Sequence, residues 1–301
     1  MAMQSRDLDY FRVIAAHGHL GRASASLTLS QPALTKSLRR LEVELGAQLF
    51  ERTPKGMRLT PVGSALLDRA SQVRLALDQA QAEVGDLVAG RSGRVRLGIG
   101  PTLVELMLSS ALATLLAQLP DIRVQVTTGM NDLLMAEVAS GALDVVLCTL
   151  PARAPAGMVC DPLFDDELTV IGRRQHPLRR RRRLAIEVVA GERWALPSAS
   201  VFSRRVFDHA FETAHCAQPT IAVETNSVPL LLSLVACTDM LTLQSARALQ
   251  ASRERAGLQR LDVPALHAAR TVGLVYRPDA YFPRAAHALI DLLRQKARDL
   301  R

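Results

Sequence analysis

Basic and hydrogen-bonding side chains recur at helical spacing after Ser30. Ser30 is a typical helix N-cap residue, Pro32 suits a first helical turn, and Gly46 predicts where the helix ends. Leucines at positions 34, 38, 41 and 45 would form one narrow stripe, because successive helical residues are rotated by about 100°. Lys36 and Arg39 then project from the other side. Such a surface can contact phosphates and base edges, although the solvated face of an ordinary amphipathic helix has the same pattern.

A second helical pattern precedes this helix, and a short hairpin is predicted after it. Residues 49–53 and 56–60 are strand-like and flank turn residues. Arg52 at the base and Lys55 at the tip of the hairpin could reach phosphates or a minor groove beside the helix. A basic helix followed directly by a basic hairpin is typical of a winged helix-turn-helix, which places its second helix in the major groove of double-stranded DNA.

The same stretch carries a long motif. It reads S-Q-P-A-L-T-K-S-L-R-R-L-E-x-E-L-G-x-x-L-F-E-R-T, followed by G-x-x-L-T-P-x-G, and over roughly residues 8–63 it resembles the amino-terminal signature of the LysR-type transcriptional regulators. The resemblance implies a cytoplasmic regulator that binds DNA, with RNA polymerase as a further partner. Carried over by position, it implies DNA contacts from Ser30, Gln31, Pro32, Ala33, Thr35, Lys36, Arg39, Arg52 and Lys55.

One departure from the family pattern lies in the first helix of the motif. The family usually has threonine where this chain has Gly21, within the run His19-Leu20-Gly21. Glycine is a poorer helix starter than threonine, so we expect this helix to begin late or to fray. The recognition surface itself is unaffected by the change.

A long helix is predicted over residues 61–90, with Thr60 as its cap and Pro61 as its start. Small or apolar residues recur in it four and three apart, namely Leu66, Ala70, Val73, Leu77, Ala80, Val84 and Leu87. Such a heptad seam favours pairing with a second copy of the helix. A homodimer would present two winged units to a two-fold symmetric operator, and a homotetramer would pair such dimers. The alternative is burial of the stripe against the chain's own body.

The 301 residues are enough for more than one domain. We expect a DNA-binding domain over 1–60, the linker and dimerisation helix over 61–90, and an effector-binding domain over 91–301. Alternating strands and helices after the hinge at residues 89–93 predict an α/β domain with parallel pairing. By resemblance, that domain has two Rossmann-like halves like those of periplasmic binding proteins. The halves would comprise about 91–163 with 270–301, and about 164–269.

A ligand site is expected where strands of the α/β domain end and helices begin. The candidate lining residues, which by resemblance match where the family's inducers are held, are Gly100, Pro101, Thr102, Thr128, Gly129, Met130, Cys148, Thr149, Pro197, Ser198, Phe202, Thr225, Asn226 and Ser227. None of them carries a formal charge. A small organic or aromatic acid would therefore be held by backbone N–H groups and hydroxyls. Each residue taken singly is equally well explained as an ordinary helix cap.

Net charge is a weaker indicator of function than the motif. The chain carries +8 overall, with +4 over residues 1–60, −2 over 61–90 and +6 beyond. Much of the last value comes from arginines at 173, 174 and 179–183. A block of like charges is usually a solvated loop, which we prefer here over a second DNA contact.

Catalytic, metal and membrane motifs are missing from the sequence. It contains no G-x-S-x-G, P-loop, H-E-x-x-H or C-x-x-C motif, and the third glycine of a dinucleotide fingerprint would fall at Leu103. The spacing of His209, His215 and Cys216 fits no standard metal site. No apolar run reaches the roughly 18 residues needed to cross a bilayer, and the N-terminus lacks a secretory core. We therefore predict a cytoplasmic non-enzyme without cofactor, metal or membrane partner.

Four scattered cysteines leave one alternative open. They are Cys148, Cys160, Cys216 and Cys237, and scattered cysteines in a cytosolic chain are usually small buried hydrophobic residues. Because some members of the LysR family sense oxidants with a cysteine pair, a redox-sensing regulator is the alternative to a ligand-binding one. An enzyme on the C-terminal domain is the remaining, less favoured hypothesis.

Overall fold

A computed structural model describes residues 4–54, 56–89, 94–251, 257–278 and 280–300. The chain divides into two compact units, Met1–Gly85 and Asp86–Arg301. Each unit has its own hydrophobic core.

The N-terminal unit is a winged helix-turn-helix, as the sequence predicted. Its elements are, in chain order, α1 (Ser5–His17), α2 (Leu20–Ser26), α3 (Gln31–Leu45), β1 (Phe50–Thr53), β2 (Gly56–Leu59) and α4 (Pro61–Ala89). Strands β1 and β2 pair antiparallel and form the wing. Phe11 and Ile14 of α1 pack with Leu34 and Leu41 of α3 in the core. The ring of Phe11 lies 5.4 Å from that of Phe50, which fixes the wing to the helices.

Helix α2 does not begin late, so that expectation was wrong. It begins at Leu20, because the Nδ1 atom of His19 accepts a hydrogen bond from the N–H of Gly21 at 3.0 Å. The imidazole of His19 thus acts as the N-cap of α2, two residues before the position where the family usually has threonine. Leu20 and Ala23 are buried in the core, which holds the helix in place.

Helix α4 begins at Pro61, as predicted. The Thr60 hydroxyl accepts a hydrogen bond from the Gly63 N–H at 3.0 Å and donates one to the Gln48 carbonyl at 2.8 Å. Gly63 lies so close to the wing that a Cβ atom there would be 2.1 Å from the Leu49 carbonyl oxygen. The first turn of α4 is therefore packed against the N-terminal core.

The C-terminal unit is built on a mixed sheet of seven strands. The strand order is β10-β6-β11-β5-β3-β4, and β9 also pairs with β6. The strands are β3 (Arg94–Ile99), β4 (Arg123–Thr128), β5 (Val145–Thr149), β6 (Val159–Arg173), β9 (Thr242–Ser245), β10 (Leu258–Leu261) and β11 (Ala268–Tyr276). A separate parallel pair joins β7 (Arg193–Leu196) to β8 (Thr220–Glu224).

Helices cover the sheet in the alternating order that the sequence predicted. They are α5 (Pro101–Leu103), continuing through a π-helical turn into α6 (Ser109–Gln118), then α7 (Asn131–Ser140), α8 (Ile186–Ala190), α9 (Phe202–Thr213), α10 (Val228–Cys237), α11 (Ala246–Ala251) and α12 (Arg284–Arg298). Strand β3 pairs parallel with β4 and β5, as expected for strand–helix–strand units.

The two long strands β6 and β11 contribute residues to both of the main hydrophobic cores of this unit. Strands β6 and β11 run antiparallel to each other over nine residue pairs, from Ala268–Leu168 to Tyr276–Val159. Leu163 and Phe164 of β6 belong to the core around β3, and Leu168 belongs to the core around Trp194. The predicted division of the halves at residue 163 therefore falls inside one continuous strand.

One helical stretch of the described chain, Pro101–Gln118, is long and apolar enough to cross a membrane by length and composition alone. The expectation that no run has this length was wrong. Its apolar side packs into the core formed with β3, β5 and α12. Met107, Leu108, Ala111 and Leu115 are all fully or almost fully buried there. This packing is that of a core helix of an α/β domain.

Candidate nucleic-acid interface and ligand cavity

The second helix of the helix-turn-helix, α3, has the local structure that its sequence predicted. The Ser30 hydroxyl accepts a hydrogen bond from the Ala33 N–H at 3.4 Å, and Gly46 ends the helix with a left-handed φ of 64°. Leu34, Leu38 and Leu41 are buried in the core. The last leucine of the stripe, at position 45, is 41% exposed, because it lies in the final turn beyond the core.

The outward side of α3 brings the predicted contact residues together. A shallow surface depression is lined by Gln31, Pro32, Thr35, Lys36 and Arg39. Within the described ranges, neither Lys36 nor Arg39 has an ion-pair partner. The Thr35 hydroxyl donates a hydrogen bond to the Gln31 carbonyl at 2.9 Å, which leaves its oxygen lone pairs facing outward. Ala33 is exposed beside this depression.

The third basic residue of α3, Arg40, is paired with a carboxylate that sequence reasoning missed. The carboxylate of Asp7 in α1 is only 3% exposed and accepts a hydrogen bond from Arg40 Nε at 3.0 Å. It accepts another from the Ser37 hydroxyl at 2.6 Å. Burial would raise the pKa of Asp7, but the hydrogen bonds from Arg40 and Ser37 hold it below its ordinary value. Asp7 thus anchors α3 to α1 and balances the charge of Arg40.

The wing presents one of its two predicted contact residues within the described chain. Arg52 is exposed on β1 and has no ion-pair partner in the part of the chain that the structure describes. Lys55 lies outside the described residues. Arg58 is instead paired with Glu51 across the hairpin at 2.7 Å. Cations that are not engaged by a carboxylate of the described chain are therefore found both on α3 and at the base of the wing.

A cavity of about 740 Å³ lies in the C-terminal unit where strands end and helices begin. Most of the predicted ligand residues line it, namely Gly100, Pro101, Thr102, Gly129, Met130, Thr149, Pro197, Phe202 and Asn226. The remaining lining is largely apolar and includes Leu103, Met135 and Leu231. A cavity of this size and composition matches small-molecule sites in proteins.

The structure places the other predicted ligand residues outside the cavity lining. Cys148 is fully buried in an apolar cluster, and Thr128 is exposed at the end of the edge strand β4. Ser227 caps α10, where its hydroxyl accepts from the Leu230 N–H at 3.4 Å. Ser198 and Thr225 form the turns around these segments, where Ser198 donates to the Asn226 Oδ1 atom and Thr225 accepts from the Ser227 N–H. For these residues the alternative of ordinary packing or capping describes what they do.

The cavity is also lined by charged and amide side chains, which the sequence did not indicate. Arg270 of β11 donates two hydrogen bonds to Asp166, at 2.7 and 2.9 Å, and a third to the Thr149 hydroxyl at 3.3 Å. Gln244 of β9 and Arg205 of α9 also contribute to the lining. Charged side chains therefore line the cavity beside the uncharged residues that the sequence indicated. Strands β9 and β11 lie far along the chain from the turn at residues 98–100, so only the sheet topology brings Gln244 and Arg270 to the cavity.

Comparison with known proteins agrees with this architecture. A model described as "Bacterial regulatory helix-turn-helix protein, lysR family" matches residues 5–64, and one described as "LysR substrate binding domain" matches residues 88–298. The chain belongs to the LysR family of transcriptional regulators. The family that the motif predicted is thus confirmed, and this LysR-type protein is a DNA-binding regulator with an effector-binding domain.

Relatives of this LysR-type regulator match along nearly its whole length. The HTH-type transcriptional regulator GalR of Pseudomonas putida is 32% identical over 97% of this chain and 74% of its own. The DNA-binding transcriptional dual regulator OxyR of Escherichia coli is 28% identical over 98% of this chain and 96% of its own. A full-length OxyR structure from Pseudomonas aeruginosa covers 99% of this chain and 95% of its own, with a TM-score of 0.65 at 24% identity. That last likeness concerns the fold.

The predicted dimerisation seam of the LysR-type regulator divides into two parts. Leu66 and Ala70 pack against the chain's own N-terminal core, so the alternative of burial in the same chain describes these two. Further along α4, Val73 and Leu77 are each 45% exposed and Val84 is 59% exposed. Ala80 is also exposed, and the side chain of Leu87 lies outside the described residues. The exposed part of the seam remains a prediction of pairing.

Two of the four cysteines, Cys148 and Cys160, lie in one hydrophobic cluster, whereas Cys237 is exposed. Burial, with a smaller contribution from Cys160, raises the pKa of Cys148 to about 12. Burial also raises the pKa of Cys160. The thiolate is the reactive form of cysteine, so raised pKa values disfavour oxidation chemistry. Among the described residues no group of three or more His, Cys, Asp or Glu side chains is placed to hold a metal ion.

Proposed function

We propose that this LysR-type regulator contacts operator DNA with the outward side of α3 and with the base of the wing. Gln31, Pro32, Thr35, Lys36 and Arg39 would meet base edges and phosphates, flanked by Ser30 and Ala33. Arg52 would contact a phosphate beside them, with Lys55 at the wing tip. The observation that carries this proposal is the division of charge on α3: Arg40 is paired with the buried Asp7, whereas Lys36 and Arg39 have no partner in the described chain. Unpaired cations on a rigid helix suit an anionic partner.

The experiment measures binding of the full chain to the DNA upstream of its own gene over a range of salt concentrations. In the double variant Lys36→Ala with Arg39→Ala, two phosphate contacts are lost from each bound protomer, so the slope of log K against log salt should fall by about 1.8 per protomer. The affinity should fall at least about tenfold, because a contact from Lys36 or Arg39 to a guanine or a phosphate contributes roughly 1–3 kcal/mol to the binding free energy. The matched control is Arg12→Ala with Arg69→Ala, which removes the same charge from other helices. Unchanged binding by the first variant would overturn the assignment of α3.

We propose further that the effector is a small organic or aromatic acid bound in the 740 Å³ cavity. Apolar side chains would cover its body, and free N–H groups of helix first turns would hold its carboxylate. Binding would shift closure between the two halves that β6 and β11 connect. An acid that raises the melting temperature without altering the DNA footprint would contradict this coupling.

We propose that the regulator acts as a homodimer through the exposed seam of α4, with a homotetramer formed from two dimers. It would act in the cytoplasm, with RNA polymerase as a further partner, and without catalysis. The support for a non-catalytic role is that Arg270, a charged residue in the cavity wall, is already paired with Asp166. Turnover of an acid by the purified chain would contradict it.

A redox-sensing regulator is the second candidate. It is favoured by similarity to proteins named hydrogen peroxide-inducible genes activators, such as one from Pectobacterium carotovorum at 28% identity. The buried Cys148, with its raised pKa, argues against it. A peroxide-dependent change in DNA affinity that Cys148→Ser or Cys160→Ser abolishes would reverse this preference.

A further inference from the structure

An amide without a partner lies in the wall of the cavity. Gln244 on β9 is 8% exposed, lines the cavity, and its side chain makes no hydrogen bond to any residue that the structure describes. Directly across the strand register from it is Thr169, whose hydroxyl is fully buried and also unpartnered within the described chain. Burying polar groups without hydrogen bonds destabilises a fold, so such groups are uncommon unless a ligand or water completes them. Gln244 therefore marks a polar position in the cavity wall that has no partner in the described chain.

A second polar group at the cavity is oriented by the Arg270–Asp166 pair. Because Arg270 Nη1 donates to the Thr149 oxygen at 3.3 Å, the Thr149 hydroxyl proton is free to be donated to a ligand atom. Arg270 itself does not offer an uncompensated charge, since its guanidinium lies 2.7 Å from the fully buried Asp166 carboxylate. Asp166 also accepts from the Ser245 hydroxyl at 3.0 Å. The group presented to a ligand here is therefore polar but without net charge.

The positive potential of the cavity is supplied by Arg205, which has no carboxylate partner in the described chain, and by the start of its helix α9. At the start of α7, Asp132 also lines the cavity and offsets the helix dipole. Met130 precedes α7 and Val201 precedes α9, and neither can provide a side-chain cap. Residues in the first turn of each helix line the cavity, among them Asn131 and Ser203. Uncapped first-turn N–H groups and the helix dipole favour a carboxylate. Helix α10, by contrast, has its cap in Ser227.

We propose that the effector is a monocarboxylic acid with an apolar body and one neutral hydrogen-bonding group, such as a hydroxyl, that is read by Gln244 and Thr149. This inference deepens the ligand-binding part of the proposed function and rests on it. The carboxylate lies at Arg205 and the start of α9. The neutral group lies against Gln244 and Thr149, where the charge of Arg270 is already balanced by Asp166 and leaves nothing to pair with a second carboxylate. Gln244 is the specificity-determining residue of the site.

The test uses three probes with the same ring: benzoate, 4-hydroxybenzoate and terephthalate. Their affinities for the full chain are measured by isothermal titration calorimetry. We expect 4-hydroxybenzoate to bind about tenfold more tightly than benzoate, because its hydroxyl can bond the Gln244 amide and accept the Thr149 hydroxyl proton, and benzoate has no group to do so. Terephthalate should bind more weakly than 4-hydroxybenzoate. Equal affinity for benzoate and 4-hydroxybenzoate, a preference for terephthalate, or no binding of any of the three overturns the inference.

Variants of Gln244 and Thr149 test whether these two residues discriminate between 4-hydroxybenzoate and benzoate. In Gln244→Leu and in Thr149→Val, the affinity for 4-hydroxybenzoate should fall to within about twofold of that for benzoate, and benzoate itself should bind as before. The matched control is Thr128→Val, at the end of β4 and outside the lining, which should keep the preference. The assignment is overturned if both cavity variants still prefer 4-hydroxybenzoate, or if the control variant loses that preference.

Two further measurements separate the possible causes of failure. Gln244→Leu replaces an unpaired buried amide, so the melting temperature of the ligand-free protein should not fall. If Gln244→Leu does not fold, the same measurements are made on Gln244→Met, because methionine has nearly the same shape as glutamine. DNA binding is measured on the same preparations. If the protein binds DNA but fails the probe test, only this inference is overturned. If it passes the probe test but binds no DNA, only the proposed DNA contacts are overturned.

Discussion

At the scale of single residues, Asp7 decides how α3 presents its charges. Its buried carboxylate accepts hydrogen bonds from Ser37 and Arg40, both on α3. Ser37 and Arg40 lie one turn apart, so the contact fixes both the rotation of α3 and the direction of Arg40. The cationic surface of the helix therefore depends on a residue in a different helix.

Asp7→Asn should lower the free energy of unfolding by about 2 kcal/mol at neutral pH, because hydrogen bonds to a charged group are worth roughly 1.5–3 kcal/mol. The folded pKa of Asp7 is lowered, so its contribution is fully present above the unfolded value near pH 4 (about 3.9) and is lost as the pH falls through the folded pKa. Urea unfolding from pH 6 down to pH 2 should show the wild type and the variant converging at the acid end.

The control for this prediction is Asp9→Asn. Asp9 is in the same helix and pairs with Arg12 and Arg74, but its side chain is 35% exposed. Exposed ion pairs contribute little, so the change at neutral pH should stay below about 1 kcal/mol. Equal effects of the two substitutions would show that burial of Asp7 is not what makes it important.

At the scale of elements, α4 carries two glycines with opposite roles. A Cβ atom at Gly63 would lie 2.1 Å from the Leu49 carbonyl oxygen, so the helix and the strand that follows Leu49 can approach only because the side chain is missing. A Cβ atom added at Gly85 would have no described atom within 4 Å. The first glycine allows a close contact, and the second only weakens the helix.

Gly63→Ala should destabilise the N-terminal unit by about 2 kcal/mol or more, because backbone has to move to relieve the clash. Gly85→Ala in the same helix should stabilise it by roughly 0.5–1 kcal/mol, because alanine is the better helix former. Thermal unfolding followed by circular dichroism gives both values. Changes of the same sign would mean that the contact at Leu49 does not constrain α4.

At the scale of the whole molecule, the exposed apolar residues of α4 indicate a second copy. Val73, Leu77 and Val84 remain 45–59% exposed after the start of the same stripe has packed into the N-terminal core. Partly exposed valine and leucine at heptad spacing on a long helix are typical of a coiled-coil seam. The dimer that this seam predicts would double the number of α3 surfaces available to DNA.

Val73→Asp with Leu77→Asp should shift the protein from dimer to monomer, because two carboxylates per helix would face each other in the seam. Sedimentation velocity should show the dissociation constant rising at least about a hundredfold, which corresponds to roughly 3 kcal/mol. Affinity for a two-fold symmetric operator should fall towards that for one half-site.

Gln72→Asp with Gln79→Asp is the matched variant, since it adds the same charges to another face of α4. It should leave the dimer intact. If this pair dissociates the protein as well, the effect is one of net charge and the seam is not the interface. If neither pair changes the molecular mass, α4 is not the dimerisation helix.

Local signals explain why the DNA-binding unit was predicted well. The Ser30 cap, the leucine spacing and Gly46 act within one or two turns of α3, so they can be recognised in the sequence alone. His19 shows the limit of such signals, because histidine is not a usual cap and its role at α2 became visible only with the Gly21 contact. Leu66 and Ala70 show another limit, since a regular stripe does not reveal which of its members the same chain covers.

The ligand cavity was predicted only in part. Residues next to strand ends, such as Thr102 and Met130, could be identified because strand ends precede helices in the sequence. Gln244 and Arg270 could not, since they lie on strands whose positions depend on pairing with β6. Asp166, which neutralises Arg270, was hidden for the same reason.

By itself, the sequence determined the winged helix-turn-helix, the family and the outward cations of α3, because these depend on spacing within a short stretch of chain. Only the tertiary structure decided which arginine of α3 is engaged by Asp7, which part of the α4 stripe is left exposed, and which polar side chains line the cavity. Each of those outcomes depends on contacts between residues far apart in the chain. Such contacts are selected by the packing of whole elements, and no local pattern records them.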